Sequence, residues 1–146
     1  GNNMANSLIV GGLKVGMNVA VATPDGYKPD GAVLEFTKGC GDKFALETDP
    51  FMAASGADIL ITDTWTSMGE EAEKEERKKI FKDYQINRQL LAAANAGAMV
   101  QHCLPAYRGQ EITEEVFEEH ADEIFNEAEN RLHAQKAVMV KLMKKD

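Results

Sequence analysis

The chain has 146 residues, the size of one domain. Apolar residues make up 44% and charged residues 27%, enough to bury a core and too apolar for a disordered chain. Sixteen Lys and Arg against 24 Asp and Glu leave a formal charge of -8, which argues against a sequence-independent grip on a nucleic-acid backbone. No 18-residue apolar run and no signal peptide can be read, so neither a membrane span nor an export tag is expected. Cys40 and Cys103 cannot build a disulfide framework and lie in no Cys-x-x-Cys pattern, so a reduced, cytoplasmic protein is the simplest expectation.

The chain opens on Gly1-Asn2-Asn3 and runs at once, without a leading strand, into an apolar helical pattern carrying Met4, Leu8, Ile9, Val10 and Leu13. The small residues Ala5, Gly11, Gly12 and Gly16 suit a helix that lies close against a sheet and ends at Gly16. Asn18 to Thr23 reads as a strand closed by the Pro24-Asp25-Gly26 turn. Asp30 can cap a helix that stops near Gly39 to Gly41. Lys43 to Thr48 is a second strand, Asp49-Pro50 opens a short helix through Ala54, and Ala57 to Thr62 is a third strand. A loop from Asp63 to Gly69 leads into a charged helix, Glu70 to Tyr84, anchored by Ile80 and Phe81. Ile86 to Ala94 reads as a helix, Ala98 to Cys103 as a fourth strand stopped by Pro105, and everything from Thr113 as helical. Short strands alternating with helices predict an α/β fold, a doubly wound parallel sheet covered on both faces. Five acids from Glu70 to Glu76 and nine from Glu111 to Glu129 read most simply as solvated helix faces.

Such sheets bind ligands outside the carboxyl ends of their strands, which singles out Pro24 to Gly26, Asp63 to Gly69 and His102 to Pro105. Asp63 is placed to hold a cationic group such as a ligand amine, or simply to cap its own turn. Ser67 and Met68 can offer a hydroxyl and backbone N–H groups to an anion at a helix N-terminus, although Ser67 with Glu70 also fits a capping box. Adjacent strand residues point to opposite faces, so His102 is poorly placed to activate Cys103, and covalent thiol catalysis is weakly supported. A thiol lining a pocket and tuning an amine's protonation, with Leu104 lending its carbonyl, fits better, while His102 reads as a satisfied structural histidine. Asn2 and Asn3 can present amides to a carboxylate, or one of them can cap the first helix. No zinc-ligand spacing links His102, His120, His133 and the cysteines, so no metal is expected. No G-x-G-x-x-G occurs between Gly1 and Gly12, which weakens a dinucleotide-binding dehydrogenase reading kept open only by Asp25.

Taken together, Gly1-Asn2-Asn3-Met4-Ala5-Asn6-Ser7, Asp63-Thr64-Trp65-Thr66-Ser67-Met68-Gly69, His102-Cys103-Leu104-Pro105 and Glu127-Ala128-Glu129-Asn130-Arg131 resemble the second half of an ornithine carbamoyltransferase. The resemblance spans essentially the whole chain in the family's order. The Ser-Met-Gly loop resembles the ornithine enzymes, whereas aspartate carbamoyltransferases lack it and carry Pro where this chain has Cys103. The resemblance implies a Rossmann-like domain and transfer of the carbamoyl group of carbamoyl phosphate to the δ-amine of L-ornithine, giving citrulline on the way to arginine. By motif, Asn3, Asp63, Ser67 and Met68 would bind ornithine, and Cys103 would stand at the catalytic centre. Leu104, beside Cys103, would hold the carbamoyl NH2 through its carbonyl, Arg131 would reach carbamoyl phosphate, and His102 and Pro105 would support them. No cofactor is implied.

The same resemblance defines what is not in these 146 residues. The family's Ser-x-Arg-Thr-Arg phosphate loop and His-Pro-x-Gln segment, which belong to a carbamoyl-phosphate domain, do not occur. Nor does the strand that precedes Gly-Asn-Asn and runs centrally in the sheet. Residues 1–146 are therefore expected to be one ornithine-binding domain lacking its first strand. Its last helix, about 121–144, would cross to the other domain, and the parent is expected to be a homotrimer or a multiple of trimers. Leu132, Val138, Met139, Leu142 and Met143 would then be partly exposed here. A non-catalytic amino-acid-binding or assembly module is the alternative, favoured by the absent phosphate loop.

Overall fold

A computed structural model describes residues 1–66 and 74–144. Helix α1 (Asn3–Lys14) is followed by strand β1 (Val19–Ala22), helix α2 (Gly31–Thr37), strand β2 (Phe44–Glu47), helix α3 (Pro50–Ala54) and strand β3 (Ile59–Thr62). Helices α4 (Lys74–Phe81) and α5 (Arg88–Ala93), strand β4 (Met99–His102), and helices α6 (Glu114–Glu119) and α7 (Ala121–Met143) complete the order.

Local chemistry explains most of these boundaries. Asn2 caps α1 by accepting the Ala5 N–H at 2.9 Å, and Asp49 caps α3 ahead of Pro50 by accepting the Phe51 N–H at 2.9 Å. Gly16, at φ 90°, closes the turn that leaves α1. A Cβ on Gly12 would meet the Val19 side chain at 2.9 Å, so this glycine is what lets α1 approach β1.

Strands β1 and β2 pair in parallel, as do β3 and β4, but the two pairs are not joined into one sheet. That agrees with the expected doubly wound domain lacking its first strand, which would run centrally between the two pairs. The core is correspondingly one-sided. Leu60 on β3 and Val100 on β4 pack with Ala54, Ile86, Leu90, Ile112, Val116, Phe117 and Ile124, whereas no residue of β1 or β2 is fully buried.

Three expectations need correction. Ile86 does not belong to the following helix: its N–H donates to the Glu111 carbonyl and it bridges to Ile112, and Asn87 caps α5 instead. Ile80 is exposed, while Phe81 stacks among Tyr27, Trp65 and Tyr84 and is the real aromatic anchor of α4. The acidic run from Glu111 to Glu129 is not uniformly solvated, because Glu111 is fully buried.

Candidate functional site

Parallel strands put residues that face each other across the pair on the same side of the sheet. Thr62 is in register with His102, so the residues that follow, Asp63 and Cys103, leave the sheet side by side. The Cys103 thiol donates to Asp63 Oδ1 at 3.1 Å. Asp63 also accepts the Thr64 N–H at 2.7 Å and the Asn2 side-chain amide at 2.6 Å. The start of α1, the end of β3 and the end of β4 therefore meet at one carboxylate.

The asparagine that does this is Asn2, which combines helix capping with a grip on Asp63, while Asn3 is exposed on the first turn of α1. Ser67 and Met68 lie outside the described residues. Burial, the hydrogen bond to Asp63, and the charges of Asp63 and Glu127 push the Cys103 thiol up to about 12 from 9.0. At neutral pH it is a protonated hydrogen-bond donor, not a thiolate nucleophile.

His102 is fully buried beside this cluster. Its Nδ1 accepts the Leu104 N–H at 2.9 Å, which leaves Nε2 to donate to Glu111 Oε1 at 3.0 Å. Glu111 Oε1 also accepts the Tyr107 N–H at 2.6 Å. Between these anchors, Leu104 adopts φ 55°, a left-handed conformation that costs a non-glycine residue on the order of 1 kcal/mol. Pro105 follows through a cis peptide bond and is exposed. Asp63, His102 and Cys103 hold ligand-type atoms within 4.8 Å of one another. Both imidazole nitrogens and the thiol are already engaged, so the arrangement works as a hydrogen-bonded set.

Sequence reasoning overlooked the contribution of α7. The N–H groups of Val100 and His102 point away from β3 toward two carboxylates one helical turn apart: Glu123 accepts the Val100 N–H at 2.9 Å, and Glu127 lies near enough to the His102 N–H for it to favour the ionised carboxylate. Four helical residues rise about 6 Å and two strand residues about 6.6 Å, so the row nearly keeps step with the strand. Burial raises the Glu127 carboxyl above its usual value, partly offset by the His102 N–H. At Glu123 burial acts upward too, but the Val100 N–H and His120 outweigh it and the net shift is downward. The next residue of this row is Arg131, exposed and on the side of the β4 carboxyl end. A separate open cavity of about 610 Å³, lined by residues including Phe51, Trp65, Lys78, Lys82 and Asn87, includes none of the site residues expected from the sequence.

A parallel α/β domain that gathers an acid, a thiol, an amide and a strained carbonyl at two adjacent strand ends has the make-up of a small-molecule site at the carboxyl edge of a doubly wound sheet. Residues 1–142 match the family described as aspartate/ornithine carbamoyltransferase, Asp/Orn binding domain, and the chain belongs to that family. The ornithine carbamoyltransferase of Gloeobacter violaceus is 56% identical over 98% of this chain and 47% of its own length, and that of Thermococcus kodakarensis is 48% identical over 98% and 47%. Among solved structures, the anabolic ornithine carbamoyltransferase of Campylobacter jejuni aligns with a TM-score of 0.91 at 44% identity, covering 97% of this chain and 48% of that one. The ornithine carbamoyltransferase of Pyrococcus furiosus aligns at 0.85 and 47% identity, covering 96% and 46%. The chain spans about half the length of these relatives, and the motif resemblance holds. Among the described residues no helix is long and apolar enough to cross a membrane.

Proposed function

We propose that the chain is the ornithine-binding part of an ornithine carbamoyltransferase, which moves the carbamoyl group of carbamoyl phosphate to the δ-amine of L-ornithine and releases citrulline and phosphate. The observation that carries this reading is the direct contact between the Asp63 carboxylate and the Cys103 thiol at the ends of neighbouring strands. The attacking amine must carry a lone pair, whereas the α-amine of the same substrate need not. Asp63 favours a charged α-ammonium, and a neutral thiol beside the δ-amine leaves that amine free to lose its proton. Leu104 offers its carbonyl to the carbamoyl NH2, and Arg131 reaches carbamoyl phosphate. Asn3, Ser67 and Met68 complete the grip on the ornithine α-groups, with Asn2 holding Asp63 in place.

In this reading the chain is one domain, and a separate carbamoyl-phosphate domain supplies the phosphate-binding cations and receives α7. The parent is a cytoplasmic homotrimer or a multiple of trimers. Neither cofactor nor metal enters the reaction. The isolated chain makes no citrulline, and measurable turnover by it would overturn that statement. In the full-length protein, Asp63→Asn should lower kcat/KM for ornithine by about 100-fold, the worth of a charge-assisted hydrogen bond. Carbamoyl phosphate affinity should change little, and equal losses for both ligands would sink the assignment. The absence of the Ser-x-Arg-Thr-Arg loop favours a second reading, a binding or assembly module without turnover, for the chain by itself.

A further inference from the structure

We infer that Glu111 and His102 form a buried positioning pair whose task is to fix the Leu104 backbone, and with it the Cys103 thiol and Leu104 carbonyl. The inference rests on the proposed transfer reaction for its purpose and on the geometry for its content. Both side chains are wholly buried, and all of the hydrogen bonding shown for the Glu111 carboxyl falls on one oxygen, Oε1, while Oε2 is buried without a hydrogen-bond partner. Glu111 Oε1 accepts the His102 Nε2–H and the Tyr107 N–H, so one oxygen at the end of the 102–111 loop ties down both its start and its middle. The imidazole passes that constraint on, because its other nitrogen holds the N–H of Leu104. A residue at φ 55° without a glycine's freedom needs such an external grip.

Neither side chain hydrogen-bonds the Asp63–Cys103 pair: the thiol donates to Asp63, and the imidazole, although one ring nitrogen lies within 4.8 Å of that pair, has both nitrogens taken by Glu111 and the Leu104 N–H. The pair acts through the backbone. A hydrophobic residue in place of His102 would fill the space yet release Leu104. An asparagine would not, since its side-chain oxygen reaches the N–H two residues on, as in an Asx turn.

The test reads the Cys103 thiol in the 146-residue chain carrying Cys40→Ser, by iodoacetamide alkylation between pH 7 and 11. This readout needs no ornithine, so its failure and the failure of the transfer reading are seen separately. His102→Asn and Glu111→Gln should alkylate within about threefold of the parent at pH 8. His102→Leu and Glu111→Ala should react about tenfold faster or more, with the profile displaced to lower pH, because one unit of thiol pKa is tenfold in thiolate. Equal rates for His102→Asn and His102→Leu would overturn the inference. A measurement that needs no variant stands beside it: nitrogen-15 NMR of the His102 ring should show a proton on Nε2 and none on Nδ1 at pH 7.5. A protonated Nδ1 cannot accept the Leu104 N–H and would equally overturn it.

Discussion

The β1–β2 pair and the β3–β4 pair have the same length and are both parallel, yet only one of them is a core. Leu60 and Val100 lie under helices α5, α6 and α7 and are buried, whereas Val19 and Val21 remain part-exposed. The site follows the packing. Asp63, Cys103 and Leu104 all leave the sheet from the buried pair, and α7 clasps that pair's outer edge. Among the described residues, Asn2 comes to them from the β1 side. A site whose parts must hold their places to a fraction of an ångström benefits from a rigid base.

The largest expected effect is on this asymmetry. Ile112→Ala, in the centre of the packed half, should cost about 2–5 kcal/mol in urea unfolding, because it opens a cavity among side chains that cannot collapse into it. Val21→Ala, in the other pair, should cost about 1 kcal/mol or less. Similar losses would mean that the two pairs are equally packed.

Next comes the thiol. Asp63→Asn removes a negative charge from beside Cys103 and exchanges one of two acceptor oxygens for an amide donor, while leaving the burial of the thiol unchanged. The thiol should ionise nearer its usual 9.0, and alkylation at pH 9 should speed up about tenfold for each unit recovered. An unaltered pH profile would show that the contact does not govern the thiol.

A smaller effect separates the two carboxylates on α7 by sign. Glu123 ionises more readily folded than unfolded, so its contribution to stability is present above its unfolded value of 4.5 and is lost as pH falls through the lower folded value. Glu127 is the reverse: the folded state binds the extra proton, so stability is lost as pH rises from 4.5 through its raised value. At pH 7, Glu123→Gln should lower the unfolding free energy and Glu127→Gln should leave it level or raise it, each by about 1 kcal/mol or less for side chains that are only part-buried. Shifts of the same sign would contradict the edge-clasp geometry.

The smallest effect is expected at the far end of α7. Leu142 is 80% exposed and Met143 78% exposed. Leu142→Lys should leave the unfolding free energy of this chain within about 0.5 kcal/mol. A larger loss would show that this stretch packs on the domain.

Much of this was legible in the residues because it is encoded locally. Asp49-Pro50 announces a capped helix through a short-range hydrogen bond and a fixed φ, and apolar runs such as Ala57 to Thr62 announce strands through solubility alone. What escaped was pairing over distance. Glu111 sits in an acidic stretch where nothing in its neighbours sets it apart from the solvated Glu114 and Glu115, and only the fold brings His102 and Tyr107 to it. Asn2 rather than Asn3 grips Asp63 because the cap residue leaves the helix pointing outward, a matter of one residue that composition cannot resolve.

The sequence by itself determined the family, the order of helices and strands, and which strand ends carry an acid and a thiol. Those depend on residue type and on spacing along the chain. The tertiary structure alone decided that acid and thiol touch, that a buried glutamate sets the histidine, and that α7 clasps β4. Each is a contact between groups far apart in sequence, and its energy exists only after the water between them has been expelled.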